Sequence, residues 1–280
     1  MTNTITSEEF HQIRAYIEAQ CGIALGDQKA YLIETRLAKL MAENGCDSFG
    51  EFYALLMRDI RAVLREKIVD AMTTNETLWF RDSHPFAILR EKLLPQLAEE
   101  FRTGKRNHFR IWSAACSTGQ EPYSIAMAIH EFCRMQTTLK PEHFEILATD
   151  ISPSALFIAM AGRYDRLAIN RGLPEEFRDR YFRQQEPVWV LDEAVKKLVT
   201  FKKFNLQDSP DAFGPFDIAF LRYVAIYFSD ALKKRIFTNL ARLLSPSGYL
   251  IIGAVESLLG LCEAFEMCEH SGGAYYRCGV

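Results

Sequence analysis

Phe109-Arg110-Ile111-Trp112-Ser113-Ala114-Ala115-Cys116-Ser117-Thr118-Gly119-Gln120-Glu121-Pro122-Tyr123-Ser124 is the stretch whose reading decides the fold. A short apolar run at 109–113 gives way to small side chains and then to an amphipathic segment near 123–134, the order of strand, loop and helix. The same grammar recurs downstream. Further strands are expected at 145–149, 199–204, 216–221 and 249–253, with helices near 153–161 and 231–244. Apolar runs alternating with helices specify an α/β fold, a doubly wound parallel sheet covered on both faces. Between Leu173 and Lys197 the pattern loosens into a charged helical piece at 174–181 and a hairpin around 184–190, an insertion at about 181–202.

Upstream, residues 6 to about 72 are helical throughout. Thr6 with Glu9, and Ser48 with Glu51, have capping-box spacing. Phe10, Ile13 and Ile17 share one helical face. A second helix, about 27–43, sets Ile33, Leu37, Leu40 and Met41 on one arc with Lys29, Arg36 and Lys39 along its flank. Ile60, Leu64, Ile68 and Ala71 mark a last helix. The chain therefore divides into a small all-helical domain, 1–72, and a sheet domain, 73–280.

The 280 residues carry a formal net charge of −3, with 49% hydrophobic and 25% charged side chains. That is ordinary globular composition, without the basic excess that backbone-driven nucleic-acid binding requires. No basic-then-apolar leader and no membrane-length apolar run is present, so a cytoplasmic protein without membrane insertion is expected. Seven cysteines include no Cys-x-x-Cys pair, and His130 with Cys133 lacks a second pair. Reduced thiols and no metal site are expected.

In a doubly wound sheet the ligand sits beyond the carboxyl ends of the strands. The loop after the first strand has one glycine, and neither the Gly-x-Gly-x-x-Gly fingerprint nor the phosphate-cradling Gly-x-x-x-x-Gly-Lys occurs there, which argues against a polyphosphate. Asp150 follows the second strand, placed to accept hydrogen bonds from a ribose diol, while Ser152 before Pro153 is the better cap for the next helix. Asn205 and Asp208 follow the third strand, Arg222 and Tyr223 the fourth.

The turn Leu243-Leu244-Ser245-Pro246-Ser247-Gly248-Tyr249-Leu250 resembles that of the class I S-adenosylmethionine (SAM)-dependent methyltransferases. Thr74-Asn75-Glu76-Thr77 with Phe80-Arg81, the 113–124 loop, Ala148-Thr149-Asp150-Ile151, Arg222 and Ile226-Tyr227-Phe228 together resemble the chemotaxis receptor methyltransferase (CheR) family, in the family's order. The resemblance implies SAM as cofactor and S-adenosylhomocysteine (SAH) as product. It places cofactor contacts at Asn75, Thr77, Arg81, Glu121, Asp150, Asn205, Leu206 and Arg222, with Ala114, Ile151 and Tyr223 beside them. Arg81 and Tyr227 fall on the catalytic side, and Trp79 is a packing residue or a wall for the methionine arm. The implied acceptor is a glutamate side chain on the cytoplasmic helices of a chemoreceptor, converted to its methyl ester in chemosensory adaptation.

A glutamate with pKa about 4.3 is already a carboxylate nucleophile at neutral pH, so no general base is required. The absence of a Ser-His or paired-carboxylate constellation fits that chemistry. Lys29, Arg36 and Lys39 are then expected to attract the acidic receptor helices, and charge reversal at Arg36 to raise the receptor KM without changing cofactor affinity. A monomer is expected. Three departures stand out: Leu221-Arg222-Tyr223 replaces the family's Cys-Arg-Asn, Gly253-Ala254-Val255-Glu256 replaces Gly-His-Ser-Glu, and 182–188 is short and glycine-free, which argues against tethering by a receptor tail peptide. Tyr223 is expected either to stack on or edge the adenine or to crowd the pocket. The alternative is a SAM- or SAH-binding regulator with little transferase activity.

Overall fold

The computed structural model describes residues 4–279. Helix α1 (Ser7–Cys21) starts at a complete capping box between Thr6 and Glu9 and buries Phe10, Ile13, Ile17 and Cys21. Helix α2 (Ala30–Glu43) is entered through a 3-10 turn at Asp27–Lys29, so Lys29 lies ahead of the α-helix proper. Helix α3 (Phe49–Leu56) is capped by Ser48, but Glu51 reaches past it to the amide of Asp47, leaving the expected second box half formed. Helix α4 (Val63–Met72) buries Leu64 and Ile68, together with Val69 and Met72. Ile60 lies outside it and is 98% exposed, contrary to the expected apolar stripe. A turn containing left-handed Ala62 breaks the periodicity there.

A long helix follows that the periodicity does not announce. It comprises α5 (Ser83–Ile88), a π turn at Leu89–Leu93 and α6 (Leu94–Arg102). Pro85 and Pro95 obscure its signal. The Leu94 amide reaches back five residues to Leu89, a wider turn that accommodates the proline, which has no N–H to donate.

The sheet domain then runs β1 (Phe109–Ala114), α7 (Gln120–Arg134), β2 (Phe144–Asp150), α8 (Pro153–Ala161), β3 (Arg163–Tyr164), α9 (Arg166–Asn170), α10 (Glu175–Tyr181), β4 (Phe182–Gln185), β5 (Val188–Leu191), α11 (Glu193–Lys196), β6 (Val199–Lys203), β7 (Phe216–Leu221), α12 (Asp230–Leu243), β8 (Leu244–Ile252), β9 (Phe265–His270) and β10 (Gly273–Cys278). The strand order is β6-β2-β1-β7-β8-β10-β9. The first five strands are parallel, and β10 is antiparallel to both β8 and β9. Separate apolar clusters cover the two faces, one around Ile111, Ile125 and Phe220 and the other around Trp112, Leu221 and Phe237, as a doubly wound sheet requires.

Gly119 at the start of α7 has φ +94, and a Cβ there would lie 2.9 Å from that of Ala159, so helix and loop pack only around a glycine. The Ser245–Gly248 turn is a bulge in β8 that shifts the register from Phe216 opposite Leu244 to Ile218 opposite Tyr249. The final hairpin, β9–β10, is absent from the sequence expectations. It sits at the sheet edge, where β9 is largely exposed and carries little apolar pattern. The inserted hairpin β4–β5 gains a third strand, β3, from ahead of the expected insertion.

Candidate active site

The chain runs outward from β1 to β2 and β6, then crosses back to β7 on the other side of β1. At this switch point the carboxyl ends of the strands open into a cleft of about 1030 Å³, part of it open to solvent, closed on the far side by α1, the end of α4 and the segment after it.

Asp150 ends β2 with only 7% of its surface exposed and lines the cleft. Its Oδ2 accepts the amide of Ser117 at 2.8 Å and its Oδ1 the amide of Ser152 at 2.9 Å. Burial pushes its carboxyl above the ordinary aspartate range despite those amides. Ser152, as expected, caps α8 by accepting from Ala155, and it also donates to Asp70 of α4 at 2.6 Å. The other Asp70 oxygen accepts from Ser154 at 2.5 Å.

Arg222 is a second buried charge, its side chain 2% exposed. Nη1 donates to Glu121 Oε2 at 2.8 Å, and Nη2 donates to Asp82 Oδ2 at 2.9 Å and to the carbonyl of Arg81. Glu121 also accepts from Ser113 Oγ at 2.7 Å. Burial alone would raise Asp82, but hydrogen bonds from Tyr223 and Arg222 outweigh it and hold the carboxyl below its usual range. The network explains why Arg222 lines the cleft with most of its donors already used.

Tyr223 has φ +57, an uncommon conformation for an aromatic residue that costs about 1–3 kcal/mol. Its amide and that of Gly253 both donate to Glu256 Oε2, at 2.7 and 2.8 Å. A Cβ at Gly253 would lie 2.6 Å from Glu256 Oε2 and 3.1 Å from the Tyr223 ring, so a side chain there would push on the carboxylate that holds both amides. The phenol donates to Asp82, and the Arg81 guanidinium lies 3.7 Å from the ring centroid. The ring expected against adenine thus has one face committed to Arg81.

Asn75, Thr77, Arg81, Ile151, Asn205, Leu206 and Tyr227 all line the cleft. Ala114 does not: it is buried in β1, and Ala115, φ +61, faces the cleft instead. Trp79 is a packing residue, buried edge-on against Tyr164 and Phe182 with its indole N–H on the carbonyl of Ala168. Asn205 donates to the carbonyl of Gln20 at 2.8 Å, and the amide of Ala24 donates to the carbonyl of Tyr227 at 2.9 Å, so both site segments are tied to the helical lobe.

Residues 75–273 match the family described as CheR methyltransferase, SAM binding domain, and residues 8–73 match CheR methyltransferase, all-alpha domain. The chain belongs to the CheR methyltransferase family. It is 46% identical over 270 residues to chemotaxis protein methyltransferase Cher2 of Pseudomonas putida, covering 96% of this chain and 97% of that one. It is 45% identical over 270 residues to chemotaxis protein methyltransferase 1 of Pseudomonas aeruginosa, with the same coverage. It is also 45% identical over 279 residues to chemotaxis protein methyltransferase of Vibrio parahaemolyticus, covering 98% of each.

As a CheR methyltransferase the protein uses SAM, and the cleft suits it. Asp150 accepts the amides of Ser117 and Ser152 on its two oxygens, with the Ile151 amide also directed at it, and the small residues Ala115 and Ser117 leave room beside it in the cleft. No charged phosphate is demanded by the site, in line with the missing phosphate motifs.

The cationic flank is arranged differently from the expectation for this CheR methyltransferase. Arg36 donates to the carbonyl of Met72 at 2.5 Å and to Thr74 Oγ1 at 3.1 Å, on the segment leading into Asn75. Lys39 is 88% exposed and pairs loosely with Glu43, and Lys29 is exposed. Arg36→Glu is therefore expected to weaken SAH binding as well as receptor binding, about threefold or more, because a carboxylate would face the Met72 carbonyl. Calorimetry with SAH beside receptor kinetics checks this. Asp70 and Asp82 are site-supporting residues that sequence reasoning did not find, because their bonds to Ser152, Ser154, Arg222 and Tyr223 cross long sequence separations that spacing does not encode.

Proposed function

We propose that this CheR methyltransferase transfers the methyl group of SAM to glutamate side chains on the cytoplasmic helices of a chemoreceptor, giving glutamate methyl esters. The observation that carries the reading is the pairing, in one cleft, of a buried ribose-accepting Asp150 with Arg81 and Tyr227. SAM supplies an activated methyl on a sulfonium centre. The chain's own task is then placement, for which orientation contributes about 7–11 kcal/mol in favourable cases. Among the described residues the Arg81 side chain makes one hydrogen bond, from Nη1 to the carbonyl of Glu76, leaving donors for a two-point hold on a carboxylate. The Tyr227 hydroxyl, without a protein partner among the described residues, adds a further donor.

In this reading residues 1–72 face the receptor and residues 73–280 carry the cofactor. Lys29 and Lys39 steer the acidic helices, the 181–202 insertion does not tether a tail peptide, and the enzyme works as a cytoplasmic monomer. Among the described residues no helix is long and apolar enough to cross a membrane.

Labelled SAM with receptor-containing membranes tests the reading. Alkali-labile label released as methanol supports it. Alkali-stable label points to another acceptor, and SAH binding without label to a regulator. Tyr227→Phe is expected to lower kcat/KM for the receptor about tenfold, the value of a hydrogen bond to a charged group, while the SAH Kd stays within a factor of about two.

A further inference from the structure

We propose that Tyr223 is a positioning residue that acts through Arg81: its ring is the platform that holds the Arg81 guanidinium in the orientation needed to receive the acceptor carboxylate. The proposal rests on the proposed methyl transfer to a carboxylate, and it gives Tyr223 a role other than cofactor contact.

Four observations converge on it. The guanidinium carbon of Arg81 stands 3.7 Å from the Tyr223 centroid, at stacking distance, whereas that of Arg222 is 5.6 Å away. The ring is fixed from both ends: the phenol hydroxyl donates to Asp82, and the backbone amide donates to Glu256 at 2.7 Å. Asp82 is itself held by Arg222 at 2.9 Å, and Arg222 by Glu121 at 2.8 Å, so the platform stands on a buried ionic network. Finally, the left-handed backbone at Tyr223, φ +57, is maintained where a side chain is disfavoured, a mark of a residue constrained for a task.

The stack has a chemical consequence. A guanidinium stacked on an aromatic face has its N–H donors directed outward in its own plane, parallel to the ring, where a planar carboxylate meets two of them at once. Without the ring, only the bond from Nη1 to the Glu76 carbonyl remains to orient the guanidinium, and it holds one nitrogen without fixing the plane. An asparagine at 223 tolerates the left-handed backbone but offers no platform.

Tyr223→Asn is the test, with kinetics on receptor membranes, calorimetry with SAH and NMR of the arginine Nε–H groups. The receptor KM is expected to rise about tenfold, in the range of a partly desolvated cation–π contact, with the SAH Kd within about twofold of wild type. Tyr223→Phe, which keeps the ring and loses the bond to Asp82, is expected to raise KM about threefold. In an Arg81→Ala background Tyr223→Asn is expected to add almost nothing, whereas a merely structural role would lower activity in both backgrounds. An unchanged KM in Tyr223→Asn, an equal rise in the SAH Kd, or full additivity with Arg81→Ala would overturn the proposal. The NMR readout stands apart from the acceptor: the Arg81 Nε–H of the wild type should carry a ring-current shift that disappears in Tyr223→Asn. Its absence from the wild type overturns the platform. Absence of methyl ester from wild-type reactions, with the ring-current shift present, instead overturns the carboxylate acceptor.

Discussion

In the proposed cofactor pose, with the Asp150 carboxylate holding the ribose diol, Asp150→Asn is expected to raise the SAH Kd about 100-fold, which corresponds to roughly 3 kcal/mol of charge-assisted hydrogen bonding. The substitution cannot be neutral even without ligand. Asp150 accepts backbone amides on both oxygens, from Ser117 and Ser152. Asparagine has one acceptor oxygen, so its NH2 group must oppose one of those N–H donors, and the loop between β1 and α7 or the start of α8 must shift. Titration calorimetry reads the affinity, and thermal unfolding of the ligand-free protein reads the loop.

The same carboxylate gives a pH dependence of definite sign. Because burial raises its pKa in the folded state, its contribution to stability is present below the unfolded value and is lost as pH rises through the folded one. At neutral pH the ionised Asp150 therefore costs stability. A diol that donates to the carboxylate favours the ionised form, so SAH affinity should begin to fall, as pH is lowered, at a higher pH than an ordinary aspartate would give. Binding measured as the pH is lowered toward the ordinary aspartate range, in two buffers of different ionisation enthalpy, should show proton release. No proton release there would remove Asp150 from the ligand.

Arg222→Met is expected to have the largest effect on stability. Removing one member of a buried ionic group leaves the others uncompensated and typically costs about 3–5 kcal/mol. Here two carboxylates, Glu121 and Asp82, lose the cation between them, and the Arg81 carbonyl loses a donor. For a chain of this size that corresponds to a Tm lower by roughly 10 °C. Arg222→Lys keeps the charge but not the fork that reaches Glu121 and Asp82 together, and should recover only part of the loss. The acid limb of the stability curve adds a second readout. Asp82 is held below its usual pKa, so its contribution is present above the unfolded value and is lost as pH falls through the folded one. Without Arg222 that acid-dependent component should shrink, and an unchanged acid limb would show that Arg222 is not what holds Asp82.

Much of this was legible in the chain. The five parallel strands and the helices α7 and α12 carry apolar patterns, α8 is announced by its Ser152-Pro153 start although Phe157, Ile158 and Met160 are exposed, and Asp150 is recognisable because it directly follows an apolar run. The helix at 83–102 was not legible, because Pro85 and Pro95 imitate breaks that a π turn absorbs. Nor was the β9–β10 hairpin, whose outer strand is too exposed to need an apolar pattern. At the site, motif order places Arg81, Glu121 and Arg222 but not their partners. Spacing says nothing of a bond between Arg36 and the Met72 carbonyl, or of Tyr223 lying under Arg81, because those contacts exist only once two distant segments are packed.

The bonds that join the lobes carry a consequence for anyone recombining relatives of this protein. Asp70 with Ser152 and Ser154, Asn205 with the Gln20 carbonyl, and the paired backbones of Ala24 and Tyr227 all cross the boundary at residue 72. A chimera cut there inherits half of each pair from a different parent. Grafting a foreign helical lobe should therefore succeed only when the segments around 19–24 and 66–74 are matched to those around 150–154, 203–207 and 224–228, so that exchange between relatives travels by compatible seams, not by whole domains.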